Sequence, residues 1–560
     1  MSRPTRRHSA APRWLWIPAA LGVAFLLVPI IGMVARIDLG HLGEVVTAPE
    51  SLLAMGLSLL TSTIAALVSL LIGFPLGYLL ATTRFRGQRL LRTLILLPLV
   101  LPPVVSGLAL LYTWGRSAYL GSLLTEAGIS LAYTTAAVVF AQIFVSLPFM
   151  VMSVETAVAA RGQRWELAAA ELGATPARVF ATITVPMLRG GILTGTVLCF
   201  ARSLGEFGAT LTFAGSLSGV TRTMPLQIYL VRESDPQSAI VLSLLLVAAA
   251  LVIIVLAYRS PHAPRLRRRA AARTDAAAPE SAGARSAAPA DLPAADDSDH
   301  ASSVRDHPPT DRGTLSLRAV LPERGLDVAV DVPAGSTTAV IGRNGAGKTS
   351  LFEILIGALP AAAGSLRIGG TTVFDVAAGL WPPIHARGIV HLAQNPLLFP
   401  HLSVLDNVAY GLRARGEPAA LARRHAADML DRLGVGECAG RRPDAVSGGQ
   451  AARIALARAL VVDPALLLLD EPLAALDVDV RIETRRVLKE VLRGRSALLI
   501  THDVADVTSL AETLVLIDSG RVDTVGAVGE IGHGDDTSGR DFLLSFCETD
   551  GEGILCSGSH

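Results

Sequence analysis

The run Gly342-Arg343-Asn344-Gly345-Ala346-Gly347-Lys348-Thr349 has the spacing G-x-x-x-x-G-K-T, which is phosphate-binding chemistry. Glycines at these positions let backbone N–H groups close on an oxyanion at a helix N-terminus, the lysine reaches the terminal phosphates, and the threonine hydroxyl suits a hard divalent cation. The setting matches the motif: 336–341 is an apolar run that predicts a strand entering the loop, and 350–359 predicts a helix leaving it. Only two of the 49 Lys/Arg residues are lysines, Lys348 and Lys489. A chain that uses arginine almost everywhere keeps lysine where a compact point charge is needed. The expected nucleotide contacts here are Gly342, Asn344, Gly345, Gly347, Lys348, Thr349 and Ser350.

Further polar residues follow in a fixed order. Gln394 stands after the apolar stretch 388–393, and Val446-Ser447-Gly448-Gly449-Gln450 is a glycine-rich segment. The run 466–469 predicts a buried strand ending in Asp470-Glu471, and Leu476-Asp477 and Ile500-Thr501-His502-Asp503 come next. In this order the C-terminal part of the chain resembles an ABC-type ATPase, with the Q-loop at Gln394, a signature motif carrying Val446 in place of Leu, a D-loop and a switch histidine. The resemblance implies an α/β fold with ATP and Mg2+ as cofactors. Catalysis in such a site is positioning and charge stabilisation rather than covalent work. It implies Asp470, Thr349 and Gln394 at the metal, Glu471 as general base, His502 at the γ-phosphate and Gln394 sensing the nucleophile. Ser447, Gly448 and Gly449 would complete the site of a second copy, so hydrolysis implies a homodimer, and Gln450 and Asp477 are also expected at the nucleotide. The segment 315–336 lacks the aromatic residue that usually stacks on adenine in this family.

The elements ahead of this ATPase have another composition. Apolar stretches near 14–35, 53–81, 93–114, 134–153, 190–212 and 238–258 are each long enough to span hydrocarbon, which takes about 20 helical residues. An all-α permease with six spans is therefore expected over residues 1–259. Arginines cluster on alternate flanks: Arg3, Arg6, Arg7 and Arg13; Arg84, Arg86, Arg89 and Arg92; Arg161, Arg164, Arg178 and Arg189; Arg259, Arg265, Arg267, Arg268 and Arg269. The other loops hold only Arg36, Arg116, Arg222 and Arg232. The positive-inside rule then puts the N-terminus and the ATPase in the cytoplasm of a multi-pass inner-membrane protein. The first span is expected to be retained, since no small-residue cleavage site follows it.

Between the fourth and fifth spans, Glu166-Leu167-Ala168-Ala169-Ala170-Glu171-Leu172-Gly173 is followed by Ile183-Thr184-Val185-Pro186. This segment, 162–186, matches the EAA loop of bacterial ABC importer permeases. The resemblance implies a short helix docked beside the Q-loop, with Glu166, Ala169 and Gly173 as coupling residues and Gly173 permitting the turn.

Phe200-Ala201-Arg202-Ser203-Leu204-Gly205-Glu206-Phe207-Gly208-Ala209-Thr210 resembles permeases for tetrahedral oxyanions, the molybdate branch more than the sulfate branch. Leu397-Leu398-Phe399-Pro400-His401 resembles the molybdate-type ATPase. Arg202, Ser203, Glu206 and Thr210 are the candidates for a translocation path. Ionisable residues in a span mark function by default, but Arg202 and Glu206 at i, i+4 can equally pair with each other.

Residues 260–312 are rich in Ala, Pro, Asp, Arg and Ser and predict a disordered tether; the ATPase is expected over 313–545, with a tail at 546–560. Cys199, Cys438, Cys547 and Cys556 form no CxxC pair. Only 40 residues follow Gly520, so no C-terminal oxyanion-sensing domain is expected.

The resemblance as a whole implies ATP-driven import of molybdate or tungstate. The expected partners are an extracytoplasmic binding protein, a second copy meeting through both domains, and membrane lipid, with no nucleic acid. Sulfate or thiosulfate import is the alternative. An exporter is disfavoured by the short loop between spans two and three, and a mechanical regulator by the short extracytoplasmic loops.

Overall fold

A computed structural model describes residues 13–38, 40, 42–258, 314–474 and 476–528. The expected tether at 260–312, the end of the ATPase beyond 528, the tail with Cys547 and Cys556, and the arginines near residues 3–7 and 265–269 lie outside the described residues. The chain divides into two units: one holds the apolar helices up to Arg161 and again from Leu188, and the other holds Gly162–Met187 together with the C-terminal part.

In the first unit, five described helices are long and apolar enough to cross a membrane, or six if one bent pair counts as a span. Its centre is the pairing of helix Pro49–Thr82 with helix Thr135–Arg161. The first of these buries Ser58, Ser62, Ala66 and then Ser69, Gly73, Gly77, small residues repeating every four positions. Its other face exposes Leu52, Leu60, Leu67 and Leu71. Lipid is as apolar as leucine and gives helices no hydrophobic reason to associate, so close backbone approach and interhelical hydrogen bonds must hold them. Both are present. A Cβ added at Gly77 would lie 2.8 Å from the Val151 carbonyl oxygen, and Ser69 and Ser146 share a hydrogen bond of 3.1 Å.

Two expected spans are not single helices. The stretch 93–114 breaks into Gln88–Val100 and Pro103–Trp114, bent by 115°. Pro102 and Pro103 are the cause: proline has no N–H to donate, its ring clashes with the preceding turn, and the residue before it is driven to extended backbone, as Leu101 is with ψ 133°. The stretch 190–212 stops at Leu204, since helix Val185–Leu204 gives way at Gly205-Glu206-Phe207 before a short helix, Gly208–Ala214. Glu206 seals that break. Its Oε1 accepts the Ala209 N–H at 2.9 Å and its Oε2 meets Arg202 at 2.6 Å, with the carboxylate almost wholly buried. Of the two readings open for Arg202 and Glu206, the pair is the one formed.

The second unit carries a ten-stranded sheet. In chain order its strands are β1 Thr314–Leu321, β2 Leu326–Pro333, β3 Thr337–Ile341, β4 Ala363–Ile368, β5 Thr371–Asp375, β6 Ile389–Leu392, β7 Leu466–Asp470, β8 Ala497–Ile500, β9 Thr513–Asp518 and β10 Arg521–Ala527. They run β5-β4-β1-β2-β10-β9-β3-β8-β7-β6 across the sheet. Burial separates two parts. β2 alternates buried and exposed residues within an antiparallel lobe with β1, β4 and β5, whereas β3 and β8 are buried throughout and pair in parallel. That is the expected contrast between a half-solvated antiparallel sheet and a parallel one covered on both faces. The phosphate loop, Gln394, Glu471 and His502 all follow the C-terminal ends of the parallel strands β3, β6, β7 and β8, the edge at which such sheets bind ligands.

The packing of helix Pro49–Thr82 gives a paired test. Gly77→Ala places a methyl against backbone that cannot yield, and should destabilise by about 1–3 kcal/mol. Gly56→Ala, on the same helix with nothing within 4 Å of its Cβ position, should be neutral or slightly stabilising; thermal unfolding of both variants in detergent checks this.

Candidate nucleotide site and coupling segment

β3 delivers the chain into the phosphate loop, and helix Lys348–Ile356 carries it out. Two glycines are indispensable there. Gly342 passes so close to β9 that a Cβ would lie 2.1 Å from the Ile517 carbonyl oxygen, and Gly347 has φ +103°, which favours glycine. Gly345 is also left-handed, at φ +87°. Lys348 is mostly buried, and its Nζ donates to the carbonyls of Gly342 at 2.5 Å and Arg343 at 3.1 Å. Burial holds its pKa below the ordinary lysine value, while the carboxylates of Asp470 and Glu471 pull the other way. Asn344 and Gly345 are exposed, and Thr349 and Ser350 occupy the first turn of the helix.

Asp470 ends β7, and Glu471 turns the chain with φ +48°, an uncommon and costly conformation for a non-glycine residue. Its N–H donates to the Ile500 carbonyl at the end of β8 at 2.9 Å, which holds the turn in place. The Glu471 carboxylate then meets both other expected catalytic residues: Gln394 Nε2 donates to Oε2 at 2.9 Å, and His502 Nε2 lies 3.2 Å from Oε1. Burial raises the Asp470 pKa, Glu471 adds to that, and Lys348 opposes it. Three strand ends thus converge on one carboxylate.

Ser447 and Gln450 have a different local role. Ser447 N-caps helix Gly448–Leu460, its Oγ accepting the Gln450 N–H at 3.2 Å while Gln450 Oε1 accepts the Ser447 N–H at 3.0 Å. This reciprocal capping box presents Ser447 and Gly448 on an exposed helix end. None of these hydrogen bonds goes to the phosphate loop. Asp477 takes the N-cap position of helix Val478–Leu492 without a side-chain cap.

A network missed in the sequence ties this region together. Arg481 donates to the Leu476 carbonyl at 3.0 Å, beside Asp477, and also to Asp503 at 3.5 Å. Arg485 reaches Asp503 at 3.2 Å and Asp506 at 2.6 Å. Thr501 donates to the same buried Asp506 at 3.2 Å. Arg481 therefore ties the D-loop to the His502 loop, and Arg485 braces the latter. Nothing in the sequence order announces the pairing, because it joins a helix and a loop only after the sheet has formed.

The coupling segment Gly162–Met187 folds as helix Arg164–Glu171, a turn at Gly173, and a second helical piece from Pro176. Gly173 has φ +92°, and its N–H donates to the Ala170 carbonyl at 2.9 Å, closing the first helix with a left-handed turn. Ala169 is fully buried in the same apolar core as Leu398, Phe399, Tyr410 and Leu460. Trp165 Nε1 donates to the Leu398 carbonyl at 3.3 Å, Thr182 and Tyr410 share a 2.9 Å bond, and Arg178 donates to the Ala414 carbonyl at 3.3 Å. Glu166 lies within the segment, its Oε1 accepting from Thr184 Oγ1 at 3.0 Å.

Glu171 was overlooked in the sequence, as were its neighbours His391 and Arg458. All three are largely buried. Burial pushes the Glu171 carboxyl up to about 8, against the pull of the His391 N–H and the Arg458 guanidinium, and burial lowers His391 to about 4 and Arg458 to about 10. Arg458 is the one charge in the wholly buried run 454–460, which is the signal that could have found it.

In the first unit, Ser203 Oγ and Thr210 Oγ1 are buried without a hydrogen-bond partner among the described residues, and the Gln142 amide donates to the Ser203 carbonyl at 3.1 Å.

Two family models match this chain. Residues 73–268 match the binding-protein-dependent transport system inner membrane component, and residues 326–474 match the ABC transporter ATPase. The chain belongs to the ABC transporters, with an importer-type permease and its ATPase joined in one polypeptide.

Among relatives, it is 51% identical over 251 residues to the molybdenum transport system permease protein ModB of Mycobacterium tuberculosis, covering 45% of this chain and 95% of that one. It is 42% identical over 223 residues to the molybdenum import ATP-binding protein ModC of the same organism, covering 39% of this chain and 60% of the relative. It is 37% identical over 246 residues to the sulfate/thiosulfate import ATP-binding protein CysA of Mycolicibacterium paratuberculosis, covering 42% of this chain and 66% of that one. The chain is thus an ABC importer in a membrane, binding ATP and coupling its hydrolysis to transport.

The buried Glu171 carboxyl sets a pH dependence. Between its unfolded value of 4.5 and its folded value of about 8, the folded protein keeps a proton that the unfolded chain has lost. Stability is therefore fully present below the unfolded value and is lost as pH rises through about 8. His391 and Arg458 stay neutral and charged, respectively, across that window, with Arg164 and Glu353 lining the same cleft. Below pH 6.5 the buried neutral His391 offsets this loss, so the unfolding temperature of the ATPase part should fall from pH 6.5 to 8.5 in the native protein, and less steeply in Glu171→Gln.

Proposed function

We propose that the chain imports molybdate or tungstate, taking it from an extracytoplasmic binding protein. The observation that carries this is the 51% identity to a molybdenum permease over 95% of that relative's length; substrate choice belongs to the permease, and the ATPase half also matches a molybdenum relative at higher identity than a sulfate one. Two copies meet through both domains in the inner membrane, with the permease near 1–259 and the ATPase near 313–545, cytoplasmic by the arginine pattern.

Each nucleotide lies between the phosphate loop of one copy and Ser447, Gly448, Gly449, Gln450 and Asp477 of the other. The exposed, capped N-terminus of helix Gly448–Leu460 supports this, since such an end favours phosphate and none of its bonds is spent on its own loop. Asn344, Gly345 and Ser350 complete the cradle around Lys348. The donors expected at magnesium are oxygen atoms of Thr349, Asp470 and Gln394, a hard set that fits that ion, whose charge would neutralise the β- and γ-phosphates.

The catalytic roles fall on the carboxylate where three strand ends meet. Glu471 draws the proton from the attacking water; Gln394 and His502, both bonded to it, orient that water and contact the γ-phosphate. Glu166, Ala169 and Gly173 shape the coupling segment. For the anion, Ser203 and Thr210 offer neutral hydroxyl donors at the helix break, while Arg202 and Glu206 pair to seal that break.

Two measurements test this. Glu471→Gln should retain ATP binding and lower hydrolysis by about 10²–10⁴-fold, the usual worth of a general base; unchanged turnover removes Glu471 from the role. ATPase activity in lipid should be stimulated by the cognate binding protein loaded with molybdate or tungstate and not with sulfate. Stimulation by sulfate moves the protein to the sulfate branch, and no response to any of them rejects the oxyanion reading.

A further inference from the structure

We infer that Glu171 is the positioning residue by which the coupling segment grips both flanks of the Gln394 loop. On the upstream flank the bond is direct: the His391 N–H, at the third position of β6, donates to Glu171 Oε2 at 3.3 Å. On the downstream flank it runs through Arg458. That guanidinium lines the same cleft as Glu171, donates to the Leu397 carbonyl at 2.7 Å and lies 5.0 Å from the centre of the Phe399 ring. Gln394 sits between these anchors and bonds the catalytic Glu471.

One cleft joins the parts: Leu167, Ala168 and Glu171 of the coupling helix line it with Arg458, Phe352 and Thr349. The last of these is the threonine of the phosphate loop. Glu166, the acid the coupling motif nominates, bonds Thr184 within its own segment. Glu171, five residues on, bonds the ATPase strand β6 directly. A buried carboxyl bonded to strand backbone moves with that strand, so a shift of the Gln394 loop when ATP binds is delivered to helix Arg164–Glu171. From there it passes by chain continuity to the membrane helices that flank the segment.

The inference does not depend on which anion is carried. Glutamine keeps the acceptor for the His391 N–H, whereas methionine fills the same volume and leaves that N–H unpaired, so the unfolding temperature of each variant is read beside its response. The experiment is hydrogen–deuterium exchange of the full chain in lipid nanodiscs, with and without Mg-ATP, in the Glu471→Gln background. Peptides of 135–161 and 162–204 are followed, with ATP affinity and unfolding temperature measured alongside. Expected is an ATP-induced change in exchange that persists in Glu171→Gln and is lost in Glu171→Met, with ATP affinity unchanged in both. A Glu171→Met protein that responds like its parent, a Glu171→Gln protein that fails together with it, or a parent in which ATP moves none of these peptides would each overturn the inference.

Discussion

The structure depends on one constraint: a segment of the permease sequence is folded into the core of the ATPase. Residues Gly162–Met187 are continuous with apolar helices at both ends, yet their contacts place them with the C-terminal unit. Ala169, Leu172 and Ala174 are buried in the cluster that also holds Val390, Phe399 and Leu460. Small side chains allow the approach, and backbone carbonyls of Leu398 and Ala414 accept from Trp165 and Arg178. A helix held by packing and by hydrogen bonds to backbone moves as a body with what it touches, because close-packed interiors shift between discrete arrangements rather than deform smoothly.

The two halves solve opposite solvent problems. In lipid, every backbone polar group needs an internal partner, and each irregular stretch is closed locally: Ser106 N–H donates to the Pro102 carbonyl at 3.0 Å after the proline break, and Glu206 takes the Ala209 N–H after the Gly205 break. Small residues at every fourth position then supply the close contact that hydrophobicity does not. In the ATPase, water drives the apolar strands inward, and polar function is pushed to the strand ends. There the fold concentrates what burial makes costly: a left-handed Glu471, a buried lysine and two adjacent carboxylates. Sites of this kind store strain because the surrounding sheet over-determines them.

Three buried acids among the described residues are each answered. Asp506 is answered by Arg485 and Thr501, Glu206 by Arg202, and Glu171 by the His391 N–H and Arg458. Each joins elements that are separate in the sequence or marks a break in a helix. Removing one member leaves the other buried and unpaired, which costs more than the pair itself contributes.

The sequence by itself determined much. The phosphate loop, the order of Gln394, Asp470, Glu471 and His502, the long apolar helices and the turn at Gly173 are local: spacing, hydrophobic period and glycine conformation are set by neighbours along the chain. Tertiary structure decided the rest. Where the third span bends is written in Pro102-Pro103, but the 115° angle depends on what the two pieces pack against. The sequence left Arg202 and Glu206 with two readings, and burial of the helix break selected the pair. Glu171 was invisible, one acid in an alanine-rich helix, because its meaning lies in a strand more than two hundred residues away. Contacts of that range are fixed by the sheet order and by which face each helix buries, and neither is encoded in the residues on either side.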